Sequence, residues 1–178
     1  MQSLKIPSPP RTIMEVYQML PEGTLAEIIN ETLYMSPAPT SHHQRIIRKL
    51  ALGISQYVDR NQLGEIFFAP FDVYLDEKAN VVQPDIVFIS KIKSETIQLN
   101  GVHGVPDLLI EILSPGNSSH DTKTKKDLYE KFGVKEYWIV DPETKEATGL
   151  ALQGKKYRQI GFYTGKIQSE LLNETFQF

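Results

Sequence analysis

"PDLLIEILSP", residues 106–115, predicts a strand in the protein interior that carries one charge in its middle. Its apolar run, which begins after a proline, favours a buried β-strand over 107–114. Because strand side chains alternate between two faces, Glu111 shares its face with Leu109 and Leu113. An ionised carboxylate buried among leucines is strongly unfavourable unless a cation, a metal or a proton compensates it. We therefore expect a compensating group beside Glu111.

The composition is that of a globular protein. The chain has 178 residues, of which 40% are hydrophobic and 23% charged, and it contains no cysteine. This length buries a core without disulfides, which predicts a single domain over 1–178. The N-terminal residues, broken by Pro7, Pro9 and Pro10, lack the apolar segment of a signal peptide, and no apolar run approaches the roughly 20 residues of a membrane span. We expect a cytoplasmic protein with no membrane contact.

The formal net charge of −3 argues against binding to nucleic acid through bulk electrostatics. A role on DNA would need local basic surface, and the available pieces are "KTKK" (123–126), Arg45, Arg48 and Lys49.

Hydrophobic periodicity predicts the order of the elements. In sequence these are a helix (12–20), a hairpin (25–36) turning at Asn30-Glu31, a helix from Ser41 to near Gly64, strands at 65–75, 81–90 and 107–114, a helix at 118–132 ending at Gly133, a strand at 136–142, and a C-terminal β-meander with turns at Gly154 and Gly165. Ser41 and Gln44 have the spacing of a capping box. The core order is therefore helix, three strands, helix, strand, which indicates an α/β fold of the mixed α+β kind around a mixed sheet.

Two of the predicted strands each place one carboxylate in an apolar row. Asp85 shares its face with Val81, Val87 and Ile89, as Glu111 does with its leucines. If these strands are neighbours, the carboxylates approach each other and need a cation or a shared proton. In the alternative interpretation, Asp85 is a turn residue after Pro84 and Glu111 is a salt-bridged core residue.

The helix at 118–132 offers a cation. At helical spacing, Lys125 and Asp121 point along the apolar stripe toward the sheet, whereas Lys123 and Lys126 point away. The alternative is that the stem of Lys125 packs on the sheet while its amine reaches water.

Asp85, Glu111 and Lys125 together form a set suited to phosphodiester hydrolysis. Two carboxylates suit Mg²⁺ or Mn²⁺, which prefer oxygen ligands and retain water. Such a metal lowers the pKa of bound water and neutralises charge on a phosphate. A nearby lysine orients or deprotonates that water and counters charge in the transition state.

Four segments in this order resemble the PD-(D/E)xK nuclease superfamily and, more narrowly, its bacterial restriction endonuclease family of the Uma type. They are "LAEIINETLYMSPAPTSHHQ" (25–44), "APFDVYLDEKANVVQPDIVFIS" (69–90), "GVHGVPDLLIEILSP" (101–115) and "DTKTKKDLYEKFGVKEYWIVDP" (121–142). The resemblance implies a restriction-endonuclease-like core, a DNA substrate, Mg²⁺ or Mn²⁺ as cofactor, and a homodimer. It also implies catalytic Asp85, Glu111 and Lys125, with Asp85 and Glu111 as the metal ligands.

The chain departs from the superfamily pattern at the lysine. The superfamily lysine would fall at position 113, where this chain has Leu113, but the Uma-type pattern places it on the following helix, at the position of Lys125. The chain also has two "PD" pairs. Asp107 lies four residues before Glu111, about 13 Å along a strand, too far to share a metal, so Pro84-Asp85 is the matching pair.

The resemblance also suggests three accessory residues. His43 would lie at the helix N-terminus near the active edge of the sheet, although a core or capping histidine is the alternative. Asp121 either orients Lys125 or favours its helix N-terminus electrostatically. Glu27 matches a recurring glutamate of the first hairpin, and Glu31 stands where the family commonly has glycine in the hairpin turn.

Two hypotheses about function remain. The first, which the intact set of Asp85, Glu111 and Lys125 favours and which we predict, is a metal-dependent DNA endonuclease. The alternative is a catalytically inactive nuclease-fold module that binds nucleic acid or protein, which the acidic net charge favours. For the homodimer, the aromatic residues Tyr157, Phe162 and Tyr163 of the C-terminal meander offer a surface that pairs across a two-fold axis.

Overall fold

The computed structural model describes residues 9–114 and 120–178, without the side chains of 120–122. The helices are α1 (Ile13–Gln18), α2 (Ser41–Asn61) and α3 (Lys126–Phe132), with a 3-10 helix at Lys91–Thr96 and a π-helix at His120–Lys125. The strands are β1 (Ala26–Ile29), β2 (Thr32–Met35), β3 (Gly64–Phe68), β4 (Val73–Asp76), β5 (Asn80–Val82), β6 (Ile86–Ser90), β7 (Ile97–Gln98), β8 (Gly101–His103), β9 (Leu108–Ile112), β10 (Glu136–Val140), β11 (Glu146–Gln153), β12 (Lys156–Thr164), β13 (Lys166–Ser169) and β14 (Glu174–Gln177).

The main sheet has the strand order β12-β11-β10-β9-β6-β3. Strands β9 and β10 are parallel, with Glu111 paired with Ile139, while β3, β6 and β9 are antiparallel neighbours. Along the chain the core therefore runs α2, β3, β6, β9, α3, β10. This is the predicted order of helix, three strands, helix, strand in a mixed sheet, and the predicted fold class is confirmed.

A second sheet, with the order β2-β1-β5-β4-β8-β7, lies beside the main one and corrects two sequence predictions. The single strands predicted at 65–75 and 81–90 are each split: β3 and β6 join the main sheet, whereas β4 and β5 join the second. Pro70 and Pro84 fall in the two breaks. Proline has no backbone N–H to give to a ladder, so a chain leaves a sheet readily at that residue.

Helices cover both faces of the main sheet. On one face, the stripe of Ile46, Leu50 and Ile54 on α2 packs against alternate residues of β6 and β9, including Phe88 and Ile110. Each such fully buried side chain stabilises the fold by about 1.5–3 kcal/mol.

On the other face, α3 packs Leu128 and Tyr129 against Val87, Leu109 and Tyr137. Because β9 carries Glu111 on the same face as Leu109, this packing brings α3 and the π-helix before it over Glu111.

Helix ends differ from the sequence predictions at two places. The N-cap of α2 is Thr40 and not Ser41, because the Thr40 hydroxyl accepts from the backbone N–H of His43 at 3.3 Å. The helix predicted at 118–132 is a π-helix over His120–Lys125 and an α-helix only from Lys126, ending at Gly133 as predicted. Single π turns occur frequently at functional sites.

The hairpin turns lie at the positions that the sequence predicted. Asn30 and Glu31, between β1 and β2, both adopt positive φ (48° and 62°), the left-handed region in which glycine is favoured. The predicted C-terminal meander is present as β10-β11-β12 with its turn at Gly154, and Gly165 leads into the separate hairpin β13–β14.

In the part of the chain that the structure describes, no helix is long and apolar enough to cross a membrane.

Candidate active site

Lys125 provides the cation that the sequence predicted beside Glu111. Its side chain is buried, and its Nζ lies 3.0 Å from Oε1 of Glu111 and 2.9 Å from Oε1 of Glu27. Glu27 belongs to β1 of the second sheet and Glu111 to β9 of the main sheet, so this ammonium joins the two sheets. Lys123 is exposed and Lys126 is half-buried.

Asp85 lies directly before β6, across from Glu111. The register of β6 and β9 pairs Ile86 with Ile110, so the next position along pairs Asp85 with Glu111. Oδ2 of Asp85 accepts a hydrogen bond from the backbone N–H of Ile112 at 2.7 Å. Both carboxylates are buried, with 8% of Asp85 and 4% of Glu111 exposed. The structure thus brings the two predicted carboxylates to adjacent strand positions.

His43 packs its ring against Asp85. The first turn of α2 places its Nε2 3.1 Å from Oδ2 of Asp85, with only 5% of the residue exposed. Its Nδ1 is buried and has no hydrogen-bond partner among the described residues. Since Thr40 caps the helix, the His43 side chain is not the cap. His43 is a buried histidine whose ring contacts the carboxylate of Asp85.

Tyr129 contacts a candidate site residue and was not identified from the sequence. It follows Lys125 by one helical turn, is fully buried, and donates its hydroxyl to Oε1 of Glu111 at 2.7 Å. Burial, followed by the charges of Glu111 and Glu27, raises the pKa of Tyr129 well above its usual value, so the phenol remains a donor. The spacing of four residues from Lys125 is the signal that would have found it.

Glu27, His43, Asp85, Glu111 and Lys125 line one cavity of about 170 Å³. Among the side chains that the structure describes, which exclude those of 1–8 and 115–122, no group of three or more His, Cys, Asp or Glu lies close enough to hold a metal ion. A metal here would therefore rest on the two facing carboxylates and on water. Mg²⁺ is commonly held by one or two carboxylates with several waters, so the donor set fits this ion.

The sequence matches the Uma2 family, described as "Putative restriction endonuclease", over residues 13–177. The chain belongs to this family. Among solved structures it is similar to the crystal structure of "a putative nuclease belonging to DUF820 from Anabaena variabilis ATCC 29413", with a TM-score of 0.69, 19% identity and 84% of each chain covered. At this identity the likeness shows the fold. No curated protein matches the sequence.

Asp107, the aspartate of the other Pro-Asp pair of this Uma2 chain, is held by ion pairs and a hydrogen bond away from the cavity. Asp107 is fully buried, with Oδ1 at 3.0 Å from Nζ of Lys93 and 2.8 Å from Nζ of Lys135. Its Oδ2 accepts from the backbone N–H of Ser90 at 3.0 Å. These contacts tie the end of β6 to the starts of β9 and β10, away from the cavity. The predicted accessory residue Asp121 has a side chain outside the described residues.

Proposed function

We propose that this Uma2 family member is a metal-dependent endonuclease that hydrolyses phosphodiester bonds in DNA. The observation that carries the proposal is the meeting of Asp85, Glu111 and Lys125 in one cavity. Asp85 directly precedes β6, Glu111 lies within β9, and Lys125 ends the π-helix. The first and the last are 40 residues apart in the sequence. Membership of a family described as restriction endonucleases supports the same reaction class.

Asp85 and Glu111 would hold Mg²⁺ or Mn²⁺. Such an ion, when bound, lowers the pKa of a coordinated water and neutralises charge on the phosphate. The neighbouring side chains support these two carboxylates: His43 contacts Oδ2 of Asp85, and Tyr129 donates to Oε1 of Glu111. Partners that fix ligating groups in this way reduce the reorganisation that catalysis requires.

Lys125 acts as a charged donor in this proposal. Two carboxylate oxygens within 3.0 Å favour its ammonium form. An ammonium in this cavity donates hydrogen bonds to the attacking water or to a phosphate oxygen and counters the charge that develops on phosphorus. Electrostatic stabilisation is therefore a better description of its role than proton abstraction.

Helix α2 offers a path for the DNA backbone. Its first turn supplies His43 to the cavity, and Arg45, Arg48 and Lys49 follow on its exposed surface. Basic side chains on a helix that leaves the cavity suit contacts to phosphates on either side of the scissile one. Local basic surface of this kind offsets the acidic net charge of the chain.

A catalytically inactive nuclease-fold module is the second candidate, and one observation favours it. Lys125 already contacts both Glu27 and Glu111, and it would have to exchange one of these contacts for a substrate. The deciding experiment is a nucleic-acid cleavage panel with Mg²⁺ and with Mn²⁺, run beside Asp85→Ala. Metal-dependent cleavage that disappears in the variant supports the nuclease; binding without cleavage by the folded wild type supports the inactive module.

A further inference from the structure

A second cavity, of about 470 Å³, adjoins the first. Pro70 and Gln83 line both of them. The backbone N–H of Gln83 donates to Oε1 of Glu27 at 2.8 Å, and its side chain reaches into the second cavity, where it donates to Oδ1 of Asp72 at 2.8 Å. Gln83 lies two residues before Asp85, about 7 Å along an extended chain. A DNA strand bound in the first cavity would therefore reach the second cavity with its next nucleotide.

Two carboxylates line the second cavity: Glu22 lies on its exposed rim, and Asp72 lies further inside. It is half-buried, and its partners are neutral donors: Gln83 and Tyr17 on Oδ1, at 2.8 and 2.9 Å, and Tyr74 on Oδ2, at 3.2 Å. Burial, followed by the charge of Asp72, raises the pKa of Tyr74 to about 12, so this phenol stays protonated. Among the described residues no lysine, arginine or histidine forms an ion pair with Asp72. A carboxylate offers about four lone-pair directions, so capacity for a further donor remains.

The walls of the second cavity restrict what it binds. Phe71, Leu20 and Leu99 provide apolar surface, Asn100 provides an amide, and the described lining contains no lysine or arginine. A phosphate has no counter-charge here and is repelled by Asp72. A flat, uncharged group that presents N–H donors on its edge and apolar faces to the walls meets each of these features. Nucleobases are groups of this kind.

We propose that the second cavity binds one unpaired nucleobase of the substrate strand and that Asp72 accepts hydrogen bonds from its edge. Guanine fits best, because its N1–H and 2-amino donors lie side by side: one takes the remaining position on Oδ2 of Asp72, and the other replaces Tyr17 or Gln83 on Oδ1. This inference rests on the proposed function, since the strand must lie across the first cavity. The base has to be outside a duplex stack, which makes single-stranded or distorted DNA the preferred substrate.

The test measures binding rather than cleavage. Short single-stranded thymidine oligonucleotides, with guanine, hypoxanthine or thymine at one central position, are titrated against the full chain in EDTA by fluorescence anisotropy. We expect the guanine oligonucleotide to bind about 10-fold more tightly than the thymine one, as for a good base-edge contact. Hypoxanthine, which lacks the 2-amino group, should fall between them. Equal affinities for all three would overturn the inference.

Two variants locate the preference. Asp72→Asn keeps the shape of the side chain and replaces one acceptor oxygen with a donor, so it should abolish the preference for guanine. Glu22→Gln removes a charge from the exposed rim of the same cavity and should retain it. A guanine preference that survives in folded Asp72→Asn contradicts the assignment.

If Asp72→Asn does not fold, amide chemical shifts of the wild type provide the answer. Addition of the guanine oligonucleotide should shift the amides of Tyr17, Asp72 and Asn100, and shifts centred away from this cavity would exclude it. The two proposals fail separately. Cleavage without any base preference removes this inference alone, whereas guanine preference without cleavage removes the proposed nuclease activity alone.

Discussion

The ammonium of Lys125 lies 3.0 Å from Oε1 of Glu111, although 14 residues separate the two along the chain. This ion pair explains how a carboxylate is tolerated in the middle of an apolar strand. The charge is compensated from the following helix, and Tyr129 adds a hydrogen bond to the same oxygen. Because Glu111 and Lys125 both line a cavity, the ion pair is accessible from it.

Lys125→Ala should lower cleavage by about 100-fold or more, the scale expected when a positioned charge-stabilising group is lost. Metal affinity should stay near that of the wild type, because an ammonium is not a ligand. Lys123→Ala is the matched control: Lys123 is exposed on the same helix, so it should weaken only DNA binding, and less so as salt rises. Equal damage from both variants at high salt would contradict the role of Lys125.

Asp85→Asn should abolish binding of Mn²⁺ while the protein remains folded. The amide keeps an oxygen that can accept from the backbone N–H of Ile112, but it removes the charge that binds a divalent cation. Isothermal titration calorimetry with Mn²⁺ measures the effect. Asp107→Asn, in the other Pro-Asp pair, should retain the affinity, and unchanged affinity in Asp85→Asn would mean that the metal site is assigned wrongly.

Tyr129→Phe should weaken Mn²⁺ binding by about 10-fold, because Glu111 loses the donor that orients it. The lost hydrogen bond to a carboxylate should also lower the free energy of unfolding by about 1.5–3 kcal/mol. Tyr57→Phe controls for stability alone, since the Tyr57 hydroxyl donates to the carbonyl of Leu172 far from the cavity. If the two variants bind Mn²⁺ equally well, Tyr129 has no role beyond folding.

Asp107 predicts a dependence of stability on pH. Burial raises its pKa, but hydrogen bonds from Lys135, Ser90 and Lys93 outweigh burial and lower the pKa to about 2 from the usual 3.8. A lowered folded-state pKa gives stability that is present above pH ~4 and is lost as the pH falls toward ~2, amounting to about 2 kcal/mol. Urea unfolding across this range should show a smaller acid loss for Asp107→Asn than for the wild type. An identical acid loss would refute this attribution.

Of the three aromatic residues predicted at a homodimer interface, Phe162 is the one that the structure leaves exposed. Phe162 on β12, at the edge of the main sheet, is 55% exposed, whereas Tyr157 donates to the carbonyl of Val134 and Tyr163 stacks near Trp138. Phe162→Glu should therefore shift the protein from dimer to monomer in light scattering. A wild-type monomer at micromolar concentration removes the proposal.

The sequence alone was sufficient for the order of the core elements and for the inward direction of Glu111 and Lys125. Helical periodicity located α2 and oriented Lys125 inward, and strand alternation put Glu111 on the face that α3 covers. The strand alternation and the α2 stripe succeeded because side-chain direction within one strand or α-helix is fixed by local backbone geometry. Lys125 ends a π-helix, so its inward direction agrees with the prediction although the α-helical period does not apply there. The catalytic role of Glu111 and Lys125 stays a prediction.

Only the tertiary structure decided which sheet each half-strand joins and which groups meet around Lys125. The split at Pro84 sends β5 to one sheet and β6 to the other, and the contact of Glu27 with Lys125 spans nearly 100 residues. The hydroxyl of Tyr129 reaches Glu111 only after α3 packs on the sheet. Such contacts depend on pairing and packing between residues far apart in the sequence. Their free energy is shared among many residues, so no local sequence pattern predicts them.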